Sequence, residues 1–349
     1  MTKALATRCL ADGVPVMPKV SVYYPRGVRT GGPEALHQLV HVLREMGRDA
    51  KLVPIPGTNT APRVSEYEVY DAPEARIAAD APGDIVVVPE SWLLPRGWHP
   101  RADVLHWWLS IDNSPLFAAE RLWLTRRIAR PNHSKRSLLR ARLVEGIARP
   151  RRLKAIRGHR HAAQSHYAAE FLMKRMGIVA APLSDFVAVN QRTHVTSAVA
   201  TVSYNPAKGG EHIRAVKAAL YAANVRWLPL QDLTRTELLD SLAQSDVFLD
   251  LGHQPGKDRL PREAALLGAV TLVAQIGAGA DLIDTPLPSE HKIRTEGDFA
   301  RNAAVTLSQV LADPEEHFHR QRYYREGLLR ERDAFKKEVR YLFNIGCRS

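Results

Sequence analysis

The chain has 349 residues, a formal net charge of +12, 45% hydrophobic residues and 25% charged residues. Its length fits two hydrophobic cores better than one, and its composition excludes a mainly disordered protein. No apolar run approaches the roughly 20 residues of a membrane-spanning helix, and the first residues contain no apolar signal segment. Because the two cysteines, Cys9 and Cys347, lie near opposite ends, we expect no disulfide framework or structural zinc, and a cytoplasmic protein.

The first half of the sequence predicts strands that alternate with helices. Residues 19–25 form a predicted strand, followed by a turn-rich loop over residues 26–33 and a helix that starts at Pro33 and ends at Gly47. Further strands are predicted at residues 51–54, 85–88 and 104–109, with one more strand and helix at 161–165 and 167–176. This alternation is typical of a parallel, doubly wound sheet.

The segment from Arg121 to His161 carries the charge of the chain. It contains 14 Lys or Arg residues and one acid, Glu145, so it accounts for the whole net charge. Apolar residues interrupt it at partly helical intervals. Three interpretations stay open. The segment forms an interfacial helix on the anionic inner face of the membrane, it contacts a nucleic acid or other polyanion, or it is a solvated helix pair packed on the core. No nucleic-acid-binding motif accompanies the segment, so nucleic acid ranks last as a partner.

The second half of the sequence is more regular. A linker rich in Pro, Asp, Asn and Gln covers residues 177–193. Beyond it, strands are predicted at residues 198–204, 225–230, 247–251 and 270–274, and helices at residues 210–223, 235–243 and 261–267. The last stretch, residues 298–343, is charged and helical in period.

These elements predict an α/β protein with two Rossmann-like domains, whose parallel sheets face a central cleft. We expect an N-terminal domain over residues 1–185, a second domain over residues 195–315, and a C-terminal helix over residues 316–349 that packs back toward the first domain. In open sheets of this kind, ligands bind beyond the carboxyl ends of the strands.

Four short motifs mark the turns of the second half. They are Tyr-Asn-Pro-Ala-Lys-Gly-Gly at residues 204–210, Ser-Asp-Val-Phe-Leu-Asp at 245–250, the Glu-bearing segment 256–268, and Gly-Ala-Gly-Ala at 277–280. These motifs resemble the family-4-like glycosyltransferases of the GT-B fold. Residues 107–113 and 253–263 resemble a bacterial and phage subgroup of those enzymes. The resemblance covers most of residues 195–285, and residues 19–50 only through the placement of their Gly-rich loop.

The resemblance implies a nucleotide-sugar donor and a saccharide, lipid-linked or protein acceptor, with retention of configuration and no metal or other cofactor. The family carries two glutamates eight positions apart, the first contacting the donor sugar and the second the ribose. Glu263 matches the second, and Pro255 stands at the first. Either Lys257 or Asp258 then contacts the sugar, or the donor binds differently, or activity is lost. The donor-binding residues expected are Gly31, Gly32, Asn205, Leu230, Gly256, Lys257, Asp258, Arg259 and Glu263.

Lys208 and Glu263 are residues of the types that sugar transfer from a nucleotide diphosphate needs. Lys208 lies between a strand and a helix, where an ammonium and a helix N-terminus together stabilise a leaving diphosphate, and the glycines after it permit close backbone approach. Glu263, in the first turn of a helix, can accept ribose hydroxyls, as acidic residues do in dinucleotide-binding folds. The structural alternatives are a surface lysine at a helix start and an ordinary acidic residue of a first turn.

The first half offers weaker candidates. Asp112 follows the strand at residues 104–109 and is a candidate catalytic group on the acceptor side, or an Asx-turn residue. Gly31 and Gly32 allow close approach of a phosphate or acceptor but lack the spacing of a dinucleotide-binding loop. We expect His106 to be a packed strand histidine. The histidines show no metal-ligand spacing, so we expect no metal.

Two other classes of function fit the sequence. One is a GT-B-derived protein that binds a nucleotide or glycan without turnover, which Pro255 favours. The other is a peripheral membrane or nucleic-acid-binding protein in which the cleft is vestigial.

Overall fold

The computed structural model describes residues 8–9, 15–117, 150–151, 153–194, 199–220 and 224–345. These residues form two units. The first holds the described residues up to 117, residues 150–185 and those from Asp333 onward, and the second holds residues 186–332. Within the described ranges, no helix has the length and apolar character needed to cross a bilayer.

The first unit contains a six-stranded parallel sheet. Its strands, in the order β4-β3-β5-β6-β7-β8, are β3 (Val20–Tyr24), β4 (Ala50–Pro54), β5 (Ile85–Pro89), β6 (Asp103–Trp108), β7 (Arg160–Ala163) and β8 (Ala181–Pro182). A separate antiparallel pair joins β1 (Arg8–Cys9) to β2 (Pro15–Val16). Strands β3 and β5 are buried throughout and, apart from Ser21, consist of apolar or aromatic residues, as expected for a sheet covered on both faces. Strand β8 lies inside the segment predicted as a linker, where it pairs with β7 at the sheet edge.

The sheet of the first unit is accompanied by the helices α1 (Gly31–Glu45) and α2 (His166–Met176). Helix α1 begins two residues before the predicted start, because Thr30 already has the extended backbone of an N-cap and Pro33 fits the first turn. Helix α2 is capped by the side chain of Ser165 and ends at Gly177, whose φ is 63°. Short 3₁₀ turns lie at Ser65–Tyr67, Ile111–Asn113 and Pro115–Phe117.

The second unit contains a five-stranded parallel sheet. Its order is β10-β9-β11-β12-β13, formed by β9 (Ala200–Tyr204), β10 (Val225–Pro229), β11 (Val247–Asp250), β12 (Val270–Ala274) and β13 (Lys292–Ile293). The helices that follow the first three strands are α3 (Gly210–Ala219), α4 (Arg235–Ala243) and α5 (Arg259–Leu266). Because β9 has β10 on one side and β11 on the other, the strand order reverses between β9 and β11, and ligands bind at such a switch point.

The predicted helical stretch at the end of the chain is four helices in succession. They are α6 (Phe299–Ala312), α7 (Pro314–Arg320), α8 (Arg322–Leu329) and α9 (Glu331–Leu342), and a 3₁₀ turn at Ser289–His291 precedes them. The break before α7 has a local cause. The side chain of Asp313 accepts a hydrogen bond from the N–H of Glu316, and Pro314 occupies the first helical position. Residues 316–349, predicted as one helix, therefore contain most of α7 and all of α8 and α9.

Candidate functional site

The turn after β9 brings a cation to a helix N-terminus. The side chain of Asn205 accepts a hydrogen bond from the N–H of Ala207 at 2.9 Å, and its carbonyl accepts one from the N–H of Lys208 at 3.0 Å. Gly209, with φ at 67°, is the N-cap of α3 and offers no side-chain cap. The first N–H groups of α3 and the Lys208 side chain therefore lie together at the carboxyl end of β9, an arrangement that suits an anionic ligand.

Glycines allow the loops after β9, β11 and β12 to approach one another closely. A Cβ atom placed on Gly209 would lie 2.8 Å from the backbone of the loop after β11, and one on Gly252 would lie 2.6 Å from Cβ of Lys208. A Cβ atom on Gly277 would lie 2.1 Å from the carbonyl oxygen of Gln254. The three loops therefore meet at distances that a larger residue at these positions would not permit.

Two carboxylates face the Lys208 ammonium. The ammonium donates to the carboxylate of Asp258, the N-cap residue of α5. Asp250 is buried at the end of β11, where its oxygens accept from the N–H of Gly252 at 3.0 Å and the side chain of Gln254 at 3.1 Å. Burial raises the pKa of Asp250, Lys208 lowers it and Asp258 raises it again. An anion that binds Lys208 therefore competes with Asp258 for the ammonium.

Glu263, the predicted ribose ligand, is engaged by arginines. It is 1% exposed, and its two oxygens accept from Nη1 and Nη2 of Arg235 at 2.8 and 2.7 Å. Nε of Arg259 lies 3.6 Å from one of the same oxygens. A ribose that reaches this carboxylate competes there with Arg235, a residue that the sequence did not single out.

Buried charges fix the loop that precedes α5. Nζ of Lys257 lies 3.0 Å from Glu331, the first residue of α9, and Nη1 of the buried Arg262 lies 2.8 Å from the same carboxylate. Arg262 also donates to the carbonyl oxygens of Lys257 and Asp258. Lys257 is thus directed toward Glu331, whereas Asp258 is directed toward Lys208.

The other predicted donor residues have structural roles in the same unit. Asn205 forms the turn before Lys208, and Gly256 is buried in the loop before α5. Leu230 is 7% exposed, donates its N–H to the carbonyl of Tyr204 at 2.8 Å, and packs in an apolar cluster beside α4 and α5.

Comparisons with known proteins agree on the fold. Sucrose-phosphate synthase from Thermosynechococcus elongatus matches with a TM-score of 0.61 at 12% identity, over 94% of this chain and 98% of that one. The trehalose 6-phosphate synthase of Burkholderia multivorans matches with a TM-score of 0.53 at 10% identity, over 94% of this chain and 99% of that one. The catalytic domain of starch synthase IV from Arabidopsis thaliana matches with a TM-score of 0.52 at 10% identity, over 93% of this chain and 99% of that one. The chain has the GT-B glycosyltransferase fold. No family model and no curated protein matches its sequence.

In this GT-B chain, the remaining predicted site residues belong to the first unit. Gly31 and Gly32 open α1 after β3, and a Cβ atom on Gly32 would meet Leu109 at 3.7 Å, an ordinary contact. Asp112 is half-buried in the 3₁₀ turn that follows β6. These residues lie at the carboxyl ends of their strands, as the sequence predicted.

Glu90 is a residue of the GT-B chain that the sequence analysis missed. It directly follows β5, is 6% exposed, and accepts a hydrogen bond from the N–H of Leu109 at 3.0 Å. Burial raises its pKa to about 7, although the N–H groups of Leu109 and Ser110 act in the opposite direction. Glu90 thereby fastens the start of the loop that carries Asp112. A charged residue directly after five buried strand residues was the available signal.

His106 is packed inside the first unit of the GT-B chain. It is 3% exposed, its Nε2 lies 2.8 Å from Nδ1 of His159, and burial lowers its pKa well below the usual value. Within the described residues, no group of three or more His, Cys, Asp or Glu side chains could hold a metal ion. The predicted membrane or polyanion contact of residues 121–161 lies largely outside the described residues and stays a prediction.

Proposed function

We propose that the chain is a glycosyltransferase that transfers a sugar from a nucleotide diphosphate sugar to a saccharide, lipid-linked or protein acceptor. We propose further that it retains the anomeric configuration and needs no metal. The observation that carries the proposal is the position of Lys208 and the N-terminus of α3 at the switch point between β9 and β11. This is where open parallel sheets bind phosphorylated ligands.

The chemistry at this point is the stabilisation of a leaving diphosphate. Its negative charge increases as the bond to the sugar breaks, and a fixed ammonium with backbone N–H donors stabilises that charge more than it stabilises the bound donor. Lys208 supplies the ammonium once the diphosphate has replaced Asp258. The displaced Asp258 carboxylate is then the best candidate for contact with the donor sugar, because Lys257 is held by Glu331.

The remaining predicted site residues are divided between the donor side and the acceptor side. We propose Asn205, Leu230, Gly256 and Arg259 as further donor-side residues, and the Arg235–Glu263 pair as the element that meets the nucleoside. On the acceptor side we propose Asp112. We propose Gly31 and Gly32, at the start of α1, as contacts of a donor phosphate or of the acceptor.

Nucleotide release tests this function. The protein is incubated with UDP-, GDP- and ADP-sugars and a panel of saccharide and lipid-linked acceptors, and the released nucleotide is measured. We expect release with one donor and a loss of at least about 100-fold in Lys208→Ala, because the leaving charge loses its cation. The control is Lys174→Ala, which removes an exposed lysine of α2 in the first unit. Unchanged release in Lys208→Ala would refute the assignment.

A second candidate function is nucleotide binding without turnover. It is favoured by Pro255 at the position of a family glutamate, and by Glu263, both of whose oxygens already accept arginine donors. Calorimetry that detects nucleotide binding, together with the absence of release on every acceptor, would favour this function over transfer.

A further inference from the structure

The Arg235–Glu263 pair fixes a guanidinium group in one orientation. Both terminal nitrogens of Arg235 bond to Glu263, at 2.8 and 2.7 Å, and this two-point contact defines the guanidinium plane as well as its position. Glu263 is 1% exposed, whereas the Arg235 side chain is 30% exposed. A buried carboxylate therefore holds a planar cation that solvent still reaches.

Glu263 is bound by a second arginine. Nε of Arg259, whose side chain is 10% exposed, lies 3.6 Å from Oε1 of Glu263. Two guanidinium groups around one carboxylate leave a net positive charge, which favours an electron-rich or anionic ligand over a cation. Because both oxygens of Glu263 accept guanidinium donors, a ligand meets Arg235 more readily than Glu263.

Arg235 lies one strand away from the Lys208 turn. It is the first residue of α4, and the loop before it follows β10, the strand that pairs with β9 in parallel. Neighbouring strands are about 4.8 Å apart, and their carboxyl ends share one edge of the sheet. A nucleotide with its phosphates at Lys208 therefore has its nucleoside end on the side of Arg235 if it extends across β9 toward β10.

We propose that the nucleobase of the donor stacks on the guanidinium face of Arg235, which Glu263 holds flat. This inference rests on the proposed nucleotide-sugar function and names the residue that meets the base. The contact with Glu263 uses the edge of the guanidinium group, so a planar ring approaches through a face, as bases and aromatic rings do on arginine. Glu263 then acts as a positioning residue, and the ribose hydroxyls contribute little.

Calorimetric binding to the full chain tests the stacking. The ligands are UDP, GDP, ADP and inorganic pyrophosphate. The variant is Arg235→Lys, which keeps the positive charge beside Glu263 and removes the planar guanidinium group. We expect the affinity for the best-binding nucleotide to fall about tenfold and the affinity for pyrophosphate to stay unchanged. Arg226→Lys, the same substitution at an exposed position of β10, is the matched control and should change neither affinity.

An equal loss of nucleotide and pyrophosphate affinity would show that Arg235 acts only as a charge, and would overturn the proposal. Unchanged nucleotide affinity in Arg235→Lys would overturn it as well, with the proposed transferase function intact. If the wild-type chain binds pyrophosphate but no nucleotide, both the stacking and the proposed function fail.

A second arm needs no variant. The wild-type chain is titrated with the 2′,3′-dideoxy analogue of the best-binding nucleotide. We expect an affinity within about twofold of the parent nucleotide, because the oxygens of Glu263 already accept arginine donors. A loss of tenfold or more would show that the ribose hydroxyls supply much of the affinity, and this result would overturn the proposal.

Discussion

Glu90 is enclosed at the carboxyl end of β5, with its carboxylate against the N–H of Leu109. Burial raises its pKa from 4.5 to about 7, so the folded chain keeps the proton over a range in which the unfolded chain has lost it. The contribution to stability is fully present below pH 4.5 and is lost as the pH rises to about 7.

We expect Glu90→Gln to remove this pH dependence. Relative to the variant, the wild-type free energy of unfolding of the first unit, which contains Glu90, should fall by roughly 3 kcal/mol between about pH 4.5 and pH 8, since each unit of pKa shift corresponds to about 1.4 kcal/mol. Urea denaturation at several pH values measures the difference. Glu68→Gln, at an exposed position, should follow the wild type. If Glu90→Gln also follows it, the buried carboxyl does not titrate as described.

At the residue scale, the sequence predicted what local spacing can encode. The placement of Lys208 between a strand and a helix was predictable because its turn, the glycines after it and the following helix are contiguous. Arg235 and Glu90 were not, because their roles depend on partners 28 and 19 residues away in the chain. Hydrophobic periodicity carries no information about which distant side chains pair. For the same reason, the two-point contact of Arg235 with Glu263 was invisible in the sequence, whereas Arg259 lies at the i,i+4 spacing of a helical ion pair.

The loops after β9 and β11 meet through Gly252. A Cβ atom there would lie 2.6 Å from Cβ and 3.2 Å from Cα of Lys208, atoms near the backbone that no rotamer change can move away. We expect Gly252→Ala to displace the Lys208 turn and to lower affinity for nucleoside diphosphates by at least about tenfold, with a loss of roughly 1–3 kcal/mol in the free energy of unfolding. Calorimetry and urea denaturation measure the two effects.

Gly327→Ala is the matched control, because a Cβ atom at this position of α8 has no neighbour within 4 Å. This variant should bind nucleotide as the wild type does. Its free energy of unfolding should increase by a few tenths of a kcal/mol or more, since alanine favours a helix interior. Wild-type affinity in Gly252→Ala would mean that the two loops can separate without moving Lys208.

At the element scale, the predicted strands and helices lie within a few residues of those observed. Strand β12 and helix α4 have the predicted bounds, since apolar strand residues and a capping Thr234 mark them locally. Prediction missed the two-residue strands β1, β2, β8 and β13 and the breaks among α6 to α9. Strand β8 is only two residues long and forms through pairing with β7, and the breaks among α6 to α9 depend on caps such as Asp313.

The two units have separate apolar cores, so we expect calorimetric unfolding to show two transitions. A nucleoside diphosphate at a concentration of about 100 times its dissociation constant should raise the midpoint temperature of the second unit's transition by several degrees. The reason is that binding stabilises that unit by roughly 2.7 kcal/mol. The transition of the first unit should stay in place.

Lys208→Ala provides the control for this experiment, since it should abolish the shift while both transitions remain. A single transition that moves as a whole on addition of nucleotide would show that the units unfold together. At this scale, the alternation of strands and helices sufficed to predict two parallel sheets, and the strand orders with their switch points came only from the structure.

The ion pair between Lys208 and Asp258 has a consequence for selectivity. Asp258 is tethered to the site, so a monovalent anion such as chloride or acetate competes against a carboxylate with a high effective local concentration. A diphosphate has a second set of oxygens that can bond the N–H groups of α3 while the first set engages the lysine. If a diphosphate binds at Lys208 as proposed, the turn after β9 selects it over small monovalent anions before any sugar or base is recognised.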